Sequence, residues 1–283
     1  MAELLKGAGA AAALTERTRA RAEALAERGV RPTLAIVRVG EREEDLSYER
    51  GALRRCEKAG VETRLFSLPG GVSQAELLSV MKKINDDETI HGCLLLRPLP
   101  AHLREEEVCA ALSPEKDVDG ITPASLASVY AGTGAGYPPC TAQACLEILD
   151  HYGYEISGKR AVVVGRSLVI GRPAAMLLMG PNATVTLCHT RTADLPGECR
   201  RSDILVAAAG RAGVVDKTCL SSGQVVLDVG INVTEEGNLT GDVDFAAAEE
   251  TVAAVTPVPG GVGAVTTAVL CAHVVSAAER AAR

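Results

Sequence analysis

Aromatic side chains are nearly missing from this 283-residue sequence, which has two phenylalanines, five tyrosines and no tryptophan. Since 47% of its residues are hydrophobic, the cores must be built from Ala, Val, Leu and Ile, side chains that suit parallel strands covered by helices. A basic stripe with interleaved aromatics is missing too, and the formal net charge is −7; this argues against nucleic acid as the main partner and for a small ligand. The apolar runs read as shorter than a membrane span, and Met1-Ala2-Glu3-Leu4-Leu5-Lys6 lacks the layout of a signal peptide, so no membrane partner and a cytoplasmic location are expected. Nine cysteines lie scattered without a C-x-x-C pair. They support neither a disulfide framework nor a zinc site, no metal is expected, and most should be buried small hydrophobes.

What is present points to an α/β chain of two lobes, because the length exceeds what one hydrophobic core usually sustains. In the first lobe a helix over about 10–28 precedes the strand Thr33 to Val39, a helix Asp45 to Ala59 stopped by Gly60, and the strand Glu62 to Leu68. Ser73 with Glu76 then forms a capping box, and Gly92 to Arg97 reads as a third strand. Alternation of this kind means parallel strands with right-handed crossovers and ligands at the carboxyl ends. The glycine- and proline-rich stretch from Ala131 to Pro139 reads as a hinge, after which Thr141 can cap a helix running to His151. The second lobe alternates again, with strands at 161–164, 184–188, 204–208 and 225–229, a Rossmann-type pattern whose crevice lies beside Gly165, His189, Gly210 and Gly230. The expected division is 1–140, 141–264, and a last helix over 265–283 that packs back on the first lobe.

Three segments carry candidate chemistry. An apolar strand ends at Gly165, crosses Arg166 and Ser167, and restarts as a helix after Gly171, a turn in which glycines admit a ligand and the helix N-terminus favours an anion. Its spacing is not that of the dinucleotide fingerprint, and on its own an ordinary strand-to-helix turn fits equally well. In the loop Pro114 to Gly120, Asp117 and Asp119 are either catalytic or turn formers that bond their own backbone. The run Thr256 to Gly263, with two prolines and three glycines, reads as a rigid loop shaped around a ligand.

Taken in order and spacing, Asp117 to Gly120, Pro139-Cys140-Thr141, Gly165 to Pro173, Cys188 to Thr192, Asp228 to Asn232, Gly241-Asp242-Val243 and Thr256 to Gly263 resemble the methylenetetrahydrofolate dehydrogenase/cyclohydrolase family over nearly the whole chain. The resemblance implies a homodimer of one-carbon metabolism, feeding purine synthesis, with folate in a cleft between the lobes and a nicotinamide dinucleotide on the second. It makes Asp119 the holder of the pterin's amino-pyrimidine edge and places Tyr48 against the folate rings, while Pro259, Gly260 and Gly261 border the substrate. On the cofactor side it assigns the phosphate turn to Gly165, Arg166, Ser167 and Gly171. His189, Thr190 and Arg191 fall near the adenosine ribose, Gly210 in the crevice, and Ile231 and Thr256 beside the nicotinamide. Arg166 and Arg191 could neutralise a 2′-phosphate, and no acidic residue stands at the end of the strand to claim a ribose diol; NADP is favoured over NAD.

The departures from the family pattern are more informative than the matches. Four residues after the tyrosine the family has a catalytic lysine; here Ala52 follows Tyr48. The glutamine of the third strand is Leu96, followed by Arg97. Ile121, Thr122 and Ser125 replace a phenylalanine-histidine and an asparagine, and Ala264-Val265 a proline-methionine. Hydride transfer from methylenetetrahydrofolate chiefly needs alignment, whereas hydrolysis of the methenyl product needs a tuned acid/base, whose loss costs about a hundred- to ten-thousand-fold. The expected activity is therefore the dehydrogenase, with the cyclohydrolase weak or absent and a separate cyclohydrolase as a partner. Two alternatives stay open. One is a bifunctional enzyme rescued by Arg55 or Arg97, although a guanidinium is a poor base; the other is a catalytically silent folate- or nucleotide-binding protein.

Overall fold

The computed structural model describes residues 1–234 and 236–283. In chain order, β1 (Glu3–Leu4) and α1 (Gly7–Glu27) precede β2 (Thr33–Val39), α2 (Glu43–Ala59), β3 (Glu62–Leu68), α3 (Gln74–Asp86), β4 (Gly92–Leu95), α4 (Glu105–Ala110) and α5 (Pro123–Ala131). After α6 (Cys140–His151) come β5 (Arg160–Val164), α7 (Gly171–Met179), β6 (Thr184–Cys188), α8 (Leu195–Arg200), β7 (Ile204–Ala207) and β8 (Val225–Asp228). The hairpin β9 (Asn232–Val233) and β10 (Leu239–Thr240), then α9 (Phe245–Thr251), β11 (Ala254–Val255) and α10 (Thr266–Ala281), complete the chain.

Residues 13–140 and 267–283 form one compact unit, and residues 1–12 and 141–266 form another. The first twelve residues therefore do not cluster with the segment that follows them, contrary to a division at 1–140. The reason is β1, which pairs in parallel with β11, Glu3 opposite Ala254 and Leu4 opposite Val255. Helix α6 starts at Cys140, so Thr141 lies inside it rather than capping it.

The first unit is built on a parallel sheet in the order β3-β2-β4. Every residue of the central strand β2 is buried, as a β-branched and aliphatic run covered on both faces should be. Leu77, Met81 and Ile84 of α3 pack on Val37 and Leu95, and the capping box of Ser73 and Glu76 is formed. Gly60 ends α2 at φ 71°, the left-handed conformation a glycine stop supplies. Strand β4 stops at Leu95, two residues short of the expected end, and Leu96 keeps one ladder bond, its N–H to the Val37 carbonyl at 2.9 Å. Arg97 thereby leaves the sheet at the carboxyl end, where Pro98 follows it. In the sequence reading no apolar run reached a membrane span; the segment Val262–Ala281 does reach that length and composition. Within the first unit its Val269, Leu270, Val274, Val275 and Ala278 are core residues, buried to 1% exposure or less.

The second unit has a six-stranded parallel sheet in the order β1-β11-β8-β7-β5-β6. Counted from β5, five of these strands follow the order 2-1-3-4-5, a doubly wound sheet whose direction of winding reverses between β5 and β7. All nine cysteines of the chain are buried and unbridged.

Candidate functional site

In the first unit a cavity of about 270 Å³ opens at the carboxyl end of the sheet. Tyr48 reaches it from α2, Leu96 and Arg97 from the end of β4, and Asp119 from the loop before α5. The two aspartates of that loop behave differently. Asp117 is fully buried and accepts the N–H groups of Ile121 and Thr122 at 2.9 and 2.8 Å. Asp119 takes no backbone N–H among the described residues and presents its carboxylate to the cavity. Burial pushes its carboxyl up to about 6, against the opposing pull of the Cys140 thiol and the Arg97 charge. Tyr48 keeps 39% of its surface exposed, yet burial of the hydroxyl, and after it the charge of Asp119, hold the phenol far above its ordinary range. Its hydroxyl is a proton donor, not a base.

Ala52, one turn beyond Tyr48 on α2, is completely buried. Among the described residues, the charged groups that line the cavity are Glu44, Asp45, Arg97 and Asp119, with no amine among them. Asp45 is engaged by Arg42 at 2.8 Å, and Arg97 is held loosely by Glu105 at 3.4 Å. Arg55 donates to the Thr15 hydroxyl at 3.1 Å. Neither arginine offers a lone pair, so this cavity can bind and orient a hydrogen-bonding heterocycle through Asp119 but has no ready general base near neutral pH other than carboxylates.

The second unit carries the other candidate residues. Gly165 follows β5 at φ 121°, and a Cβ there would lie 2.0 Å from the Ala208 carbonyl oxygen beyond β7. A Cβ on Gly171 would lie 2.1 Å from the Gly165 carbonyl oxygen. These contacts fold the turn tightly onto the point where the sheet reverses, and the Ser167 hydroxyl accepts the Ile170 N–H at 3.1 Å. Arg166, Ser167, Thr190, Arg191 and Gly210 are exposed around it, and Arg166 and Arg191 form no ion pair among the described residues. His189 Nδ1 accepts the Arg191 N–H at 3.1 Å, which shapes the turn after β6. The cradle of close-packed glycines, a helix N-terminus and unengaged guanidinium groups fits a dinucleotide phosphate.

Thr256 is fully buried, and its hydroxyl accepts the Asp228 N–H at 2.7 Å. Ile231 is 69% exposed at the root of the hairpin. Pro259 and Gly260 are exposed, while Gly261 is buried with its missing side chain replaced by the Pro257 oxygen at 2.5 Å from the Cβ position. Two residues that carry no role in the sequence reading organise these loops. The Asp242 carboxylate accepts the N–H groups of Ala209, Gly210 and Arg211 at 2.6, 2.9 and 2.9 Å. Asp228 accepts those of Gly230, Asp242 and Val243 at 3.0, 2.9 and 3.0 Å, and burial still lifts its carboxyl to about 6. Each packs against a glycine of the other's segment whose Cβ would collide with it, Asp242 against Gly230 and Asp228 against Gly241; in the sequence the two segments read Asp228-Val229-Gly230 and Gly241-Asp242, and these paired Asp and Gly positions are the signal that could have revealed them.

A doubly wound sheet with a glycine turn at its switch point defines the second unit as a nucleotide-binding module. The chain belongs to the tetrahydrofolate dehydrogenase/cyclohydrolase family: residues 5–119 match its catalytic domain and residues 139–282 its NAD(P)-binding domain. It is 47% identical over 277 residues to the bifunctional protein FolD of Clostridioides difficile, covering 98% of this chain and 96% of that one. With FolD of Carboxydothermus hydrogenoformans it shares 48% over 281 residues, 99% of this chain and 98% of the relative. Among solved structures, the bifunctional FolD of Campylobacter jejuni superposes with a TM-score of 0.95 at 33% identity, covering 99% of both chains. The Trypanosoma brucei FolD, solved with NADP and an inhibitor, gives 0.92 at 33%, covering 100% of this chain and 99% of that one.

Proposed function

We propose that this protein oxidises 5,10-methylenetetrahydrofolate to the methenyl compound with NADP and hydrolyses that product slowly or not at all. The observation that carries this reading is the cavity lining, in which Leu96 stands and no amine is found among the described residues, while Ala52, one turn from Tyr48 on α2, is buried and offers no titratable group. Asp119, ionised near neutral pH, accepts two donors from the amino-pyrimidine edge of the pterin, and Tyr48 borders its ring. Arg166 and Arg191 hold the 2′-phosphate, and Ser167 with the N-terminus of α7 faces the pyrophosphate. The nicotinamide, when bound, accepts the hydride. No side chain needs to move a proton in that step, so alignment suffices.

Relatives at 47 and 48% identity are named bifunctional, which supports a second reading, hydrolysis sustained by another group. Arg97 would stabilise charge in such a scheme, but a guanidinium is a poor base for activating water. Separate assays of NADP- and NAD-dependent oxidation and of methenyl hydrolysis decide between the two. Accumulation of the methenyl absorbance, decaying no faster than in buffer, is the expected result; rapid enzyme-dependent decay overturns it. A cytoplasmic homodimer working beside a separate cyclohydrolase belongs to the same proposal.

A further inference from the structure

Resting on the reading of Asp119 as the folate anchor, we infer that Arg97 is a specificity-determining residue whose guanidinium donates to the 4-oxo oxygen of the pterin and so selects 4-oxo over 4-amino folates. Arg97 lies two residues beyond the end of β4 and lines the same cavity as Asp119 and Tyr48. Hydride transfer alone gives it no role. A guanidinium carries five N–H donors and no acceptor. Among the described residues one of the five is engaged, by Glu105 Oε1 at 3.4 Å, longer than an ordinary N–H···O bond. Glu105 is tied more closely to the loop after β4, where its Oε2 accepts the Leu99 N–H at 2.9 Å. The Arg97 side chain is 26% exposed, a largely covered cation with free donors at a ligand cavity. The other charged groups of that lining, Glu44, Asp45 and Asp119, are carboxylates, so Arg97 is the charged donor that an acceptor on the ligand meets there.

The chemistry of the pterin edge sets what that acceptor is. The pyrimidinone ring presents side by side a 2-amino group, the N3 proton and the 4-oxo oxygen. A carboxylate takes the first two as a bidentate pair and leaves the oxygen without a donor. Burying that oxygen unpaired costs binding, and a charged donor in the same cavity removes the cost. A 4-amino ring turns the position into a donor, which then faces a cation with nothing to accept it.

The experiment compares kcat/KM, with NADP and the full-length enzyme, for 5,10-methylenetetrahydrofolate and for its 4-amino analogue prepared from tetrahydroaminopterin and formaldehyde. The analogue also lacks the N3 proton that Asp119 uses, a loss common to every variant, so the change in the substrate ratio on substitution isolates position 97. In Arg97→Leu the 4-oxo substrate should lose about tenfold or more in kcat/KM, chiefly through KM, while the 4-amino analogue changes by less than about twofold or improves. Arg97→Met, which keeps an apolar stem without N–H groups, should behave in the same way, and an unaltered NADP affinity verifies that each variant is folded. Equal losses on both substrates, as for a guanidinium that holds the glutamate carboxylates common to the two, overturn the inference, and so does an unchanged ratio. Asp119→Ala separates the two levels: if it leaves folate binding intact, the folate reading and this inference fall together, whereas lost binding with an unshifted ratio in Arg97→Leu removes the inference alone.

Discussion

Asp117 and Asp119, two residues apart in one loop, do different work: Asp117 spends both oxygens on the N–H groups of Ile121 and Thr122 at 2.9 and 2.8 Å, and Asp119 is left facing the cavity. The first carboxylate builds the loop that presents the second. Because both side chains are short and acidic and stand in a turn, the sequence leaves them equivalent.

This division is tested by two substitutions. Asp119→Ala should abolish folate binding while dinucleotide binding, measured by fluorescence titration, stays intact. Asp117→Ala should lower stability by about 1–3 kcal/mol by orphaning two backbone donors, one of them fully buried. The reverse pattern would exchange their roles.

The pH dependence of stability follows from Asp119. Its folded-state carboxyl titrates near 6 against an ordinary 3.8, so the folded protein holds more protons than the unfolded chain between those values. Stability therefore falls as pH rises through that window, and the cost is complete above it. The buried Asp228 adds a slope of the same sign. Asp119→Asn removes the charge, and at about pH 8 it should raise stability by on the order of 1 kcal/mol, a gain that vanishes near pH 4 where the native carboxyl is already neutral. Thermal melts at the two pH values check this; an Asn variant less stable at the higher pH would contradict it.

Much of the scaffold was legible before the structure, for identifiable reasons. Thr33 to Val39 and Thr184 to Cys188 are runs rich in β-branched and aliphatic residues, Glu62 to Leu68 intersperses Thr, Leu and Phe with polar residues, each is closed by glycine or polar turns, and all three strands have the expected bounds. The two-residue strands β1 and β11 carry no periodicity; they exist through pairing across some 250 positions, and so the first twelve residues were placed with the wrong unit. Thr256 looked like a loop residue open to a ligand, but its hydroxyl serves the Asp228 N–H inside the fold.

The cofactor cradle yields a specificity prediction. Arg166 and Arg191 are exposed and free of ion pairs among the described residues, so replacing either by Ala should raise KM for NADP by about tenfold or more while changing KM for NAD far less. Equal effects on both cofactors would remove the 2′-phosphate from their vicinity. Gly171→Ala should weaken both cofactors alike, since its Cβ would lie 2.1 Å from the Gly165 carbonyl oxygen and force the turn open.

The strongest test concerns position 52. Ala52 is completely buried one turn below Tyr48, so a lysine introduced there must bury most of its stem and carry its amine toward the cavity, where desolvation lowers its pKa toward neutrality. An amine so tuned could activate water, but without a partner it lacks the hydrogen bond that orients it. Leu96 lines that cavity and provides none. Ala52→Lys alone should therefore recover little methenyl hydrolysis and should cost stability, as an unpaired buried cation does. Leu96→Gln alone supplies an amide with no base to orient. The double variant Ala52→Lys/Leu96→Gln should hydrolyse the methenyl compound faster than the two single effects combined, as coupled neighbours do. Additive gains would mean that the two positions do not cooperate in this cavity, and no gain at all would mean that the missing amine is not what separates this enzyme from hydrolysis.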